Sequence, residues 1–129
     1  MKHSTSLTVT SLLSILLVTL HLAGDVVYGM ESGGPSILIG VLMLVVWLYG
    51  ALALPGRRSG YIILLLGSIL GSAMPVIHTT GSGLGGEFAK SDGAFFFIWT
   101  LLVLGVTGVI SFTLSVHGLL SLRRGQRTL

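Results

Sequence analysis

The sequence predicts an all-α fold: a single-domain, four-helix transmembrane bundle, up-down-up-down, with both termini cytoplasmic. Three observations carry that expectation. Only 9% of the 129 residues are charged, while 52% are hydrophobic. Soluble domains carry about 25% charged residues, so this chain needs lipid as its solvent. Four apolar stretches each reach the ~20 residues that a helix requires to cross a hydrocarbon layer of about 30 Å. The charges also segregate by sign. Lys2, Arg57, Arg58, Arg123, Arg124 and Arg127 fall beside one set of segment ends; Asp25, Glu31, Glu87 and Asp92 fall beside the other, where Lys90 is the one cation. Positive residues are retained on the cytoplasmic side. The acidic ends are therefore expected outside, and the expected location is a bacterial inner (plasma) membrane.

Span 1 is expected over residues 5–26. Lys2 and the apolar run to Leu20 have the look of a signal peptide, but cleavage after Ala23 would put His21 at the −3 position, where a small residue is needed. The span is therefore expected to be retained. Span 2, over 35–54, opens with Pro35, which suits a first helical turn. Span 3, over 60–80, contains Gly67-Ser-Ile-Leu-Gly71, a spacing that lets a second backbone approach closely. Pro75 removes one backbone donor and crowds the Gly71 carbonyl, predicting a kink just before His78. Span 4, over 93–122, is longer than crossing requires, predicting tilt or extension on the Arg123–Arg124 side. Short connections make neighbouring spans antiparallel. Trp47, Tyr49 and Tyr61 are expected at the inner interface, and Tyr28, Phe95 and Trp99 at the outer one. Phe95–Phe96–Phe97 reads as lipid-facing bulk.

Several function classes drop out. Without cysteine there are no disulfides, thiolate metal sites, thiol catalysis, covalent c-type haem or palmitoylation. The net charge of +3 resides in juxtamembrane cations, the topogenic pattern, so no nucleic-acid partner is expected. The segment Gly81-Ser-Gly83-Leu-Gly85-Gly86-Glu87 has the glycines of a phosphate loop without its lysine or preceding strand. No Ser–His–acid arrangement stands out, and the chain is not expected to be an enzyme.

The chemically loaded residues lie in the outer half. At 100° per residue, Thr10, Ser14, His21 and Asp25 share a narrow arc of span 1, and polar groups avoid acyl chains, so this stripe should face inward. Gly60, Gly67, Gly71 and His78 share one face of span 3. Span 4 has a small-residue face of Gly105, Gly108, Ser111 and Ser115, with His117 roughly opposite and interfacial. His21 and His78 lie at similar depth. Asp25, one turn after His21, can hydrogen-bond that imidazole or share a ligand with it. Two histidines and a carboxylate are a minimal set for a transition metal, and two histidines on facing helices also suit a b-type haem. Glu31, Glu87 and Asp92 would attract cations to this side.

Four short spans in a chain of this length resemble the small multidrug resistance transporters. That resemblance implies a membrane-embedded glutamate in span 1, where proton and cationic substrate compete, and a weak charge bias. Span 1 here has no Glu, its one carboxylate is near the outer end, and the bias is strong. The resemblance ends at span number.

The leading functional expectation is a small, non-enzymatic accessory or assembly subunit. One alternative is a metal- or haem b-binding subunit using His21, Asp25 and His78; a second is a small proton- or ion-coupled transporter. The expected partner is the lipid bilayer; the Gly67/Gly71 motif is expected first to serve packing within the chain, with other membrane subunits or a second copy through the Gly67/Gly71 or Gly105/Gly108 faces as the alternative.

Overall fold

The structure is a computed structural model that describes residues 2–29, 34–80 and 92–127. These form four helices and, among the described residues, no strand: α1 (Lys2–Val27), α2 (Pro35–Ala53), α3 (Arg58–Thr80) and α4 (Asp92–Arg127). Each is long and apolar enough to cross a membrane. The chain is thus an all-helical integral membrane protein. Helix α2 starts with Pro35 in its first turn, where the missing N–H leaves no hydrogen bond unmade. The turn into α3 closes with the Arg57 N–H donating to the Leu54 carbonyl at 3.2 Å. Gly56 takes a φ of 75° there, a left-handed conformation that side chains disfavour.

Helix α4 continues five residues past the expected end at 122. Its 36 residues span about 54 Å at 1.5 Å per residue, well beyond a hydrocarbon layer of about 30 Å. The extra turns carry Arg123 and Arg124, and the extension lies on the side the sequence indicates.

Successive contacts run in opposite order along α3 and α4: His78 lies against Phe97, Pro75 against Gly105, Ser72 against Gly108 and Tyr61 against Gly118. Along α1 and α4, Tyr28 meets Gly93, Gly24 meets Phe97, and Ser14 meets Thr107. Helix α2 lies against α3 through Trp47–Gly67 and Gly50–Ile63. It buries only Trp47, Gly50 and Ala51, while Leu38, Ile39, Leu42, Val45 and Val46 are exposed, a surface suited to lipid.

The glycine faces are consumed inside the chain. A Cβ on Gly108 would stand 2.6 Å from the Ser72 backbone nitrogen and 3.1 Å from the Gly71 carbonyl carbon, and one on Gly67 would collide with the Trp47 indole. Gly71 faces Leu104 and Trp47, and Gly105 faces Pro75. Gly67, Gly71, Gly105 and Gly108 thus pack within the chain, the first of the two uses expected for these faces. Trp47 is likewise a core residue, 3% exposed, and not the interfacial anchor expected. The missing side chain at Gly67 forms the slot that admits its ring.

In lipid, apolar burial gives helices little reason to associate, because the tails are as apolar as leucine; close packing and interhelical hydrogen bonds hold them together instead. Ser11, Ser14, Ser68, Thr107, Ser111 and Ser115 are all buried, contributed by α1, α3 and α4. The Ser14 hydroxyl donates to Thr107 Oγ1 at 2.9 Å, and such bonds contribute about 0.6 kcal/mol each on average. That bond joins α1 to α4, whereas α3 and α4 meet through the close contacts of Gly105 with Pro75 and Gly108 with Ser72.

Candidate metal centre

The polar stripe of α1 continues beyond this hydroxyl seam to His21, two turns past Ser14 on the same face. His21 is 3% exposed. Across from it on α3 stands His78, with Nε2 of each imidazole 2.9 Å from the other. The rings are nearly perpendicular, at 88°, with centroids 4.6 Å apart. α3 carries Pro75 within it, yet His78 still meets His21. Asp25, one helical turn beyond His21, brings Oδ2 to 3.4 Å from His21 Nε2. The three donor atoms all lie within 4.8 Å of one another.

Two neutral imidazoles can approach this closely only if one Nε2 carries a hydrogen and the other offers a lone pair. One hydrogen therefore lies between the rings, and which ring owns it is a matter of tautomer. His21 Nδ1 is buried and makes no hydrogen bond among the described residues. The site is enclosed on the α4 side by Phe97, whose ring centroid is 4.7 Å from that of His21 and 5.5 Å from that of His78. An apolar wall of this kind strengthens electrostatic interaction between a cation and Asp25 by keeping water away.

The sequence-predicted trio His21, Asp25 and His78 is thus brought together. Glu31, Glu87, Lys90 and the Gly81–Glu87 segment lie outside the described residues. His117 is exposed and twenty residues from Phe97 along α4, about 30 Å away, as its wheel position indicates. Phe97 departs from expectation: it is 2% exposed, whereas Phe95 and Phe96 do face outward at 79% and 54%. Its role was readable by stepping the small-residue face of α4 outward from Ser111 through Gly108, Leu104 and Leu101 to position 97.

The geometry discriminates between the expected ligands. A metal bonded to both nitrogens at about 2.0–2.1 Å would subtend roughly 90° at the present separation, and tetrahedral zinc would need them about 3.3 Å apart. The first angle suits tetragonal copper or nickel; the second asks for a shift of less than about half an ångström. A b-type haem needs the two nitrogens on opposite faces of its iron, roughly 4 Å apart from bond lengths near 2 Å, with a macrocycle between the rings. With the nitrogens at 2.9 Å and Phe97 against both rings, no slab is left for a porphyrin, so the haem expectation does not fit. No protein-family model matches the chain, and neither a curated protein nor a solved structure matches it.

Proposed function

We propose that this chain is a non-enzymatic accessory subunit that holds one divalent first-row transition-metal ion between α1 and α3, near the outer face of the membrane. The observation that carries the proposal is the convergence of His21 and His78, from different helices, to 2.9 Å, with the Asp25 carboxylate beside them. Ionisable groups in membrane helices are costly and face the interior where they serve a function. Three protein ligands leave a coordination position open, which suits holding and passing on an ion. The opposite order of contacts along α3 and α4 supports the up-down-up-down arrangement, and the charge segregation supports cytoplasmic termini.

Titration of the purified, detergent-solubilised protein with Zn(II) or Cu(II) is expected to saturate at one ion per chain. Binding should shift the hydrogen between the two imidazoles to Nδ1 of its own ring, so that both Nε2 lone pairs face the metal, and excess acid should release the ion by protonating the rings. Asp25→Asn should weaken binding about tenfold while preserving stoichiometry, in the range of an orienting or weak third ligand. Absence of saturable binding by either metal would overturn the proposal.

A further inference from the structure

At the other end of the bundle, the first turns of α3 and the last turns of α4 border an open cavity of about 590 Å³. Arg58 and Arg123 stand at it from different helices, and Ile62, Val116, Leu119 and Leu120 line its apolar part. We propose that this cavity is a binding site for one anionic phospholipid, whose headgroup phosphate sits between Arg58 and Arg123 and whose acyl chain lies along the apolar wall.

The first argument is charge. Of the four Asp and Glu residues, the two among the described residues, Asp25 and Asp92, lie toward the other end. Asp25 is engaged with His21. Asp92 begins α4, 31 residues before Arg123 and so about 46 Å along the helix. Glu31 and Glu87 lie outside the described residues. Among the described residues, neither Arg58 nor Arg123 forms an ion pair. Arg58 is also the first residue of α3, where the helix dipole presents its positive end and favours anions. No acidic residue occupies that first turn. A cation at this position has the disfavoured sign, and a bound phosphate reverses the balance for both the dipole and the guanidinium.

The second argument separates lipid from a soluble anion. A site for free phosphate needs polar walls, whereas this cavity offers two guanidinium groups and otherwise mainly aliphatic side chains. That division matches the headgroup and tail of a phospholipid, and basic pockets between membrane helices on the cytoplasmic side bind anionic headgroups. Topology explains why arginines are present at this end; it does not explain why two from different helices share one apolar cavity.

The test uses the full chain in mixed micelles with phosphatidylcholine, titrated with phosphatidylglycerol and read by native mass spectrometry. Wild-type protein should retain one phosphatidylglycerol per chain in preference to phosphatidylcholine. Arg58→Gln and Arg123→Gln should each reduce that preference about fivefold, the effect of one juxtamembrane cation. Arg123→Lys should keep part of it, and Arg124→Gln, which lies outside the lining, should keep nearly all. Millimolar inorganic phosphate should not displace the lipid. Equal retention of both lipids, an equal loss in Arg124→Gln, or full displacement by phosphate would each overturn the proposal. Zinc binding at His21 and His78 is read separately, so the two assignments stand or fall independently.

Discussion

Replacing His21 with alanine is expected to lower zinc or copper affinity by more than about 100-fold, above the roughly 10–100-fold effect of partners outside the ligand set. His78→Ala should do the same. The two nitrogens are 2.9 Å apart and would bond one ion, so their effects should not add: the double variant should be little worse than either single one. His117→Ala should leave affinity unchanged, because that ring is exposed and far along α4. Competition titration with a chromophoric chelator measures all four proteins on one scale. Additive losses, or a loss in His117→Ala equal to that in His21→Ala, would mean that bound metal is not held by the pair.

Gly108→Ala separates packing from helix propensity because the two effects have opposite signs. In an unpacked helix interior the change stabilises by about 1 kcal/mol. Here the new Cβ would lie 2.6 Å from a backbone nitrogen of α3, which cannot rotate away as a side chain can. Overpacking of this kind costs about 1–3 kcal/mol and sometimes more, so net destabilisation is expected. Gly125→Ala is the control, since nothing stands within 4 Å of a Cβ there. Thermal unfolding in detergent should show Gly108→Ala melting below wild type, with Gly125→Ala at or slightly above it. Forcing α4 from α3 should also shift Phe97 relative to His78, so metal affinity should fall with stability. Unchanged melting of Gly108→Ala would show that α3 and α4 are not in backbone contact at Ser72.

The four spans were legible because lipid imposes a simple rule: a helix of about 20 apolar residues with its charges at the ends. The trio at the candidate metal centre was legible for the same reason. His21, Asp25 and His78 are among the few ionisable groups on the apolar segments, and an α-helical wheel is reliable over the two turns that link Ser14 to His21. Less legible were the large apolar residues, because in lipid a hydrophobic side chain has no reason to prefer the interior. Trp47 and Phe97 illustrate this. Trp47 belongs to a type enriched at interfaces and Phe97 to a run that reads as lipid-facing bulk, yet both are buried because a glycine or an existing inward face makes room for them. The pairing of the glycine faces was also beyond the sequence. A GxxxG spacing permits close approach but does not say whether the partner is the same chain, as Ser72 against Gly108 is here.

The most direct measurement is X-ray absorption at the zinc edge of protein loaded with one equivalent of Zn(II). The expected spectrum has two imidazole nitrogens at about 2.0–2.1 Å and a carboxylate oxygen at about 2.0–2.2 Å. One imidazole should be lost in His21→Ala and one in His78→Ala. A zinc environment without imidazole, or one unchanged by either substitution, would contradict a shared metal centre between α1 and α3.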